Sequence, residues 1–238
     1  MMNNAQRILL AIYLPLTFLI LTFDNLYPVS DAVSYLKFTT MFTLFLSVTI
    51  VRKNTREQKL MTRAYFFLVI ADFFMVFLTT FDDLNLYLEG LGGVGFLLAY
   101  LCLIPVLQKN FKLGKAEIIT AIPIAIIFLG IFLLLQPYLG LLFSIGIFIF
   151  TAVLCYMAWA AICAIFRNYY THKTACLIAI AAILMLVCDM FVVISIFYPP
   201  YPSFLPWSEN IIWGSYVPGW TLLAVVINEE NPKNKYID

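Results

Sequence analysis

The sequence predicts an all-α fold, a polytopic membrane bundle of eight transmembrane helices in one integral domain, residues 1–238. Three observations predict it. The chain is 63% hydrophobic and 11% charged, with mean hydropathy +0.96, well outside the composition of ordinary soluble domains. Eight segments approach the roughly 20 apolar residues needed to cross the hydrocarbon layer. Lys and Arg cluster in alternate connections, while the intervening ones carry acids instead.

The first segment, near residues 8–23, follows Arg7. No small-x-small cleavage signal separates it from Asp24 and Asn25, so it reads as a helix and not as a leader. The second, near 32–51, carries Lys37 early in YLKFTTMFTLFL. Arg52, Lys53, Arg56, Lys59 and Arg63 separate it from the third, near 64–81, which contains ADFFMVFL with Asp72. The fourth, near 88–107, opens on GLGGVG and ends before Lys109, Lys112 and Lys115. Segments near 118–135 and 139–165 are apolar throughout, and Arg167 and Lys173 follow them. The seventh, near 175–197, contains CDMFVVIS with Asp189. A Pro- and aromatic-rich stretch, YPPYPSFLPWSEN, reads as a stiff interfacial loop with Trp207 and Trp213 as anchors, before the eighth segment near 211–227. By the positive-inside rule both termini are cytoplasmic, in a bacterial cytoplasmic membrane. Topogenic charge accounts for the basic loops, and no nucleic-acid partner is expected.

ADFFMVFL and CDMFVVIS share x-D-x-F-x-V in helices that run in the same direction, four crossings apart. A duplicated four-helix unit, related by an axis along the membrane normal, would produce this pattern. Within the spans the charged residues are Lys37, Asp72 and Asp189, with Glu89 at the mouth of the fourth helix. At about 1.5 Å per residue all three lie roughly 9–12 Å below the outer surface. Intramembrane ions cost about 2.5–3.5 kcal/mol each on insertion scales and therefore face partners or cavities. A layer holding Lys37, Asp72 and Asp189, reached by Tyr100 and Tyr216, would be a polar pocket in which one carboxyl stays protonated as a general acid. A network that only specifies helix packing is the structural alternative.

Other signals are weaker. GLGGVG lacks a strand–turn–helix context and reads as a close-packing helix face, continued by Ala99. The single histidine, His172, lies in a loop, and neither G-x-S-x-G nor H-E-x-x-H occurs. Cys102, Cys155, Cys163, Cys176 and Cys188 fall in apolar segments without paired spacing. No metal, nucleotide or redox cofactor is indicated.

Taken in order, YLKFTTMFTLFL, ADFFMVFL, the Gly-rich start with FLLAY, LMLVCDMF and Tyr216 resemble the YhhN-like family, which includes the lysoplasmalogenases. The resemblance covers most of the chain. It implies an eight-helix integral membrane hydrolase that cleaves the vinyl-ether bond of a lysoplasmalogen or related ether lysolipid, with a lysophospholipid substrate and membrane lipid as partners. It also implies catalytic roles for Asp72 and Asp189 and substrate-binding roles for Lys37 and Tyr216, which Tyr100 and Glu89 would join by position. The chain departs from the family pattern at Phe38 after Lys37, where proline is usual, at Tyr100, where histidine is frequent, and at Trp220, where Gln or His is found.

Enol-ether hydrolysis protonates carbon, builds an oxocarbenium ion and captures it with water, so it needs one protonated acid and one nearby carboxylate. Either aspartate could take either role, with Lys37 holding phosphate or favouring a neighbouring carboxylate, and the head group near Glu89. The competing reading is a proton-coupled transporter or lipid-binding membrane protein using the same acids. The lack of paired helix-breaking Gly or Pro in the third and seventh helices weighs against transport. A third reading is an assembly factor in which the polar trio is packing glue.

Overall fold

The computed structural model describes residues 2–28, 30–51, 53–81, 86–201, 205–229 and 232–233, with backbone alone at 86–89 and 205–208. It is a bundle of α1 (Asn4–Leu26), α2 (Asp31–Ile50), α3 (Arg56–Asp72), α4 (Leu86–Leu107), α5 (Lys115–Leu135), α6 (Leu141–Cys163), α7 (His172–Phe197) and α8 (Leu205–Ile227). All eight are long and apolar enough to cross a membrane. Among the described residues the one extended pairing is an isolated bridge between Tyr170 and Lys233.

Several helices begin earlier than hydropathy predicts, because their first turns are polar caps. In α1 the Asn3 side chain accepts from the Gln6 amide, and the Gln6 side chain accepts from the Asn3 amide. Thr55 and Gln58 make the same reciprocal cap on α3, eight residues before the apolar run the sequence shows. Thr171 caps α7. α8 starts at Leu205, inside the stretch read as a loop, with Pro206 in a first turn where its missing N–H costs nothing. Trp213 is consequently a buried helix residue, 6% exposed, and not an interfacial anchor. The Trp207 side chain lies outside the described residues.

α8 is the most enclosed helix, packed on α7 and α1, while α5 is peripheral and shows Ile118, Ile122, Ile126 and Leu133 outward. The carbonyls at a helix C-terminus have no partner within the helix. In α8 they are taken by side-chain amides of other helices. Gln6 donates to Val225, Gln58 to Ile227 and Glu229, and Asn3 to Asn228, at 2.7–3.0 Å.

A second clasp joins α4, α5 and α6 at the same end of the bundle. Arg167 donates to the Glu117 carboxylate at 2.7 Å and to the Leu107 carbonyl at 2.9 Å, with its guanidinium over Phe111 and Trp159. Nearby, buried Glu57 receives the Tyr169 hydroxyl at 2.8 Å and pairs with Lys109 and Lys233. The Tyr169 hydroxyl and Glu57 beside it hold the Lys233 ammonium above its ordinary pKa.

GLGGVG has two faces. A Cβ on Gly95 would sit 2.9 Å from the Ala71 backbone nitrogen, and one on Gly92 would collide with Met75, so these two let α4 lie against α3 as the sequence reading expects. Around Gly90 and Gly93 there is open space within 4 Å. Gly95→Ala is therefore expected to destabilise the protein by about 1–3 kcal/mol, as overpacking does, measured by thermal unfolding in detergent. Gly130→Ala, in open space on α5, is expected to be neutral or stabilising.

Neither Gly nor Pro interrupts the third helix after Asp72, yet its winding changes there. α3 loosens into a π-helical segment over Phe73–Phe77 and tightens into a 3₁₀ turn over Leu78–Thr80, whereas α7 runs unbroken past Asp189. Single π turns inside helices are frequent at functional sites.

Candidate active site

Asp72 is the last regularly wound residue of α3 and Asp189 lies about two-thirds along α7; they are 1% and 3% exposed. Each carboxylate has a tyrosine. The Tyr216 hydroxyl of α8 donates to Asp72 Oδ1 at 2.5 Å, and the Tyr100 hydroxyl of α4 donates to Asp189 Oδ2. The two pairs are exchanged across the bundle: the third-helix acid takes the eighth-helix tyrosine, and the seventh-helix acid takes the fourth-helix tyrosine. Asp189 follows Asp72 by 117 residues and Tyr216 follows Tyr100 by 116. A duplicated four-helix unit with a two-fold axis between its halves gives this reciprocity. The tyrosine spacing adds a second match to the repeat read from the aspartates alone.

Aromatic rings join the two pairs. Phe96 lies 6.0 Å from the Tyr216 ring and 6.4 Å from the Tyr100 ring, centroid to centroid. Trp220 stacks on Tyr100 at 6.5 Å and meets Tyr65 edge-on at 5.1 Å, while the Tyr65 hydroxyl donates to the Trp220 carbonyl. Trp220 thus places a large aromatic ring against Tyr100, with its buried indole nitrogen lacking a hydrogen-bond partner in the protein.

Two cavities adjoin the carboxyl groups. The larger, about 460 Å³, lies among α4, α6 and α7 and is apolar except for Asp189. The smaller, about 200 Å³, is lined by Asp72, Tyr216, Glu209, Trp213, Cys188 and Ser195 among others. Met75, Phe96, Val192 and Ile196 line both, so the cavities share a wall. Asp72 Oδ2 is buried in the protein without a hydrogen-bond partner. A buried carboxyl oxygen left over in this way has capacity to hold a donor in the polar cavity.

Lys37 does not join the aspartates as the depth count suggests. Its ammonium pairs with Asp24 at 2.8 Å and with Glu209 at 3.7 Å, and lies 4.7 Å from the centre of the Trp213 ring. Hydropathy ends the first segment near residue 23 and starts the eighth near 211, which leaves Asp24 and Glu209 just outside the predicted spans. In the fold both flank the Lys37 turn of α2, and the cation is satisfied there. Glu89 belongs to α4, but its side chain lies outside the described residues. Among the described residues no three His, Cys, Asp or Glu side chains converge as a metal cage.

Tyr65 and Glu209 carry no motif and join the site through packing, while Phe96 and Cys188 stand inside FLLAY and CDMFVVIS without the sequence giving either a role. Neither a curated protein nor a solved structure matches the chain. A family model described as the YhhN family matches residues 33–227, a span that includes both aspartate–tyrosine pairs and the walls of both cavities. By that match the protein is a member of the YhhN family.

Proposed function

We propose that this membrane protein hydrolyses the vinyl-ether bond of a single-chain ether lysolipid. The observation that carries the reading is the pairing of unlike cavities. One buried carboxyl is the single polar group of an apolar cavity, and a second, with an oxygen to spare, sits in the polar cavity next to it. The alkenyl chain occupies the first and the glycerol end the second.

Each carboxyl then has a distinct task. Asp189, in apolar surroundings, is the protonated acid; Tyr100 donates to one of its oxygens and leaves the other for the transferable proton. That proton goes to the alkene carbon remote from the ether oxygen, and the oxygen lone pair forms the oxocarbenium ion. Asp72 holds water through Oδ2, takes its proton as it adds to the cation, and gives a hemiacetal. In the collapse of the hemiacetal Asp72 gives its proton to the glycerol oxygen and Asp189 takes the hydroxyl proton, which releases the aldehyde, returns a hydroxyl to glycerol and resets both carboxyls, so one water is consumed and no oxidant is needed. Lys37, neutralised by Asp24, fixes the outer ends of α1, α2 and α8 in place of holding phosphate. The basic end of the bundle faces the cytoplasm, which puts the polar cavity toward the outer leaflet.

The test is aldehyde release from a lysoplasmalogen by purified protein in detergent, for wild type, Asp72→Asn and Asp189→Asn. Loss in both variants supports the dyad. Full activity in both would end it, and no turnover by wild type alongside proton-coupled uptake of a solute would favour the transporter reading instead.

A further inference from the structure

We propose that the 460 Å³ cavity is a lateral portal, held open by Gly90, Gly93 and Gly146, through which the hydrocarbon chain of a single-chain amphiphile passes from the bilayer to Asp189. The inference rests on the hydrolase reading only for the fate of the chain. The portal is the membrane-side approach to Asp189, and binding there can be measured without turnover.

The glycines come first. Gly90 and Gly93 of α4 and Gly146 of α6 line the cavity, and a Cβ built on any of them would meet nothing within 4 Å. Glycine is a poor helix former, and on the opposite face of α4 its use is explained by the approach of α3 at Gly92 and Gly95. On the cavity face no neighbouring atom demands it. What a larger residue would occupy there is the cavity.

The rim indicates what the mouth meets. Val94, Leu142 and Ile149 border the cavity and are 50%, 71% and 47% exposed. They belong to helices long and apolar enough to cross a membrane, and an exposed apolar surface on such helices is suited to hydrocarbon and not to water. An apolar opening of this kind is open to lipid tails and closed to hydrated solutes.

Size and polarity select the occupant. Pockets for drug-sized ligands run from about 300 to 1,000 Å³, and a cavity of about 460 Å³ is in the lower part of that range. It suits one alkyl chain and not the two of a diacyl lipid. Its single polar group, Asp189, places the chain's reactive end where the shared wall gives onto the polar cavity.

The experiment measures binding and needs no turnover. The probe is a saturated hexadecyl ether lysophosphocholine, which cannot be cleaved by protonation of carbon, with a nitroxide at the chain terminus. Its Kd is measured by spectral titration in detergent, against octyl and dihexadecyl analogues. Wild type is expected to bind the hexadecyl probe at least about tenfold more tightly than the dihexadecyl one. Gly93→Leu and Gly146→Leu are expected to weaken hexadecyl binding by about tenfold or more, since each methylene excluded from an apolar pocket is worth about that much. The octyl probe is expected to lose less. Gly130→Leu, on a lipid-facing helix away from the cavity, is expected to bind as wild type does. Should a leucine variant fail to fold, Gly93→Ala and Gly146→Ala fill less space and are expected to give a smaller loss of the same kind. Hexadecyl binding unchanged in the folded Gly93 and Gly146 variants, or reduced equally in Gly130→Leu, would overturn the portal. Glycine-dependent binding in a protein that cleaves no vinyl ether would leave the portal standing and remove the hydrolase reading.

Discussion

Asp189→Asn is expected to lower aldehyde release by about 10²–10⁴-fold, the usual contribution of a positioned general acid. An asparagine fills nearly the same space and still accepts the Tyr100 hydroxyl, so the bundle and the apolar cavity stay as they are. What disappears is the one proton within the apolar cavity that could reach the alkene carbon. The loss is therefore expected in kcat, with KM and binding of a non-cleavable ether lysolipid unchanged. Asp72→Asn is expected to behave differently. It keeps the Tyr216 contact and alters water capture after the cation has formed, so proton delivery to carbon persists. Solvent isotope effects separate the two: a large effect from rate-limiting carbon protonation is expected in wild type and is expected to shrink when Asp72→Asn makes capture slow. Equal kcat losses with the same isotope effect in both variants would contradict the division of roles.

Arg167→Ala is expected to destabilise the protein by about 3–5 kcal/mol, because it strands the Glu117 carboxylate in a buried setting. The change also frees the Leu107 carbonyl and removes the cation over Phe111 and Trp159, so three helix ends lose their common partner. Arg167→Lys is expected to recover only part of this, since an ammonium cannot reproduce the planar fork that reaches Glu117 and Leu107 together. Arg167→Met with Glu117→Gln removes both charges and is expected to recover most of it. Chemical unfolding in detergent measures all three. A double variant no better than Arg167→Ala alone would place the stability in the arginine's packing and not in charge pairing.

The parts of the structure legible in sequence were those written in composition and charge. The eight crossings, the matched aspartates and the nearness of Tyr100 and Tyr216 to them follow from hydropathy, motif spacing and depth along a helix. Depth, however, fixes only one of three coordinates. Lys37 shares a layer with both aspartates and still pairs elsewhere, because azimuth around the bundle depends on how the helices pack. The same limit hid Phe96 and Tyr65, ordinary aromatics in an aromatic-rich chain. Hydropathy also placed the beginning of α8 too late. Its first turns carry Pro206, Ser208, Glu209 and Asn210, so Glu209 reads as a loop residue and Trp213 as an interfacial anchor although both line the polar cavity. The π-helical segment after Asp72 had no Gly or Pro to announce it.

The two ends of α8 are held by different kinds of bond. Its lower end takes neutral amide bonds from buried Gln6 and Gln58, while its upper end is held by the exposed Asn25–Asn210 contact and by the Lys37–Glu209 ion pair. The two tyrosine–carboxyl settings sit at different distances from that charged end. Tyr216 stands four residues nearer to it than Trp220 does. A change in the Lys37–Glu209 pairing would therefore reach the Tyr216–Asp72 contact before the Trp220–Tyr100 stack, so the setting of one carboxyl would change ahead of that of the other.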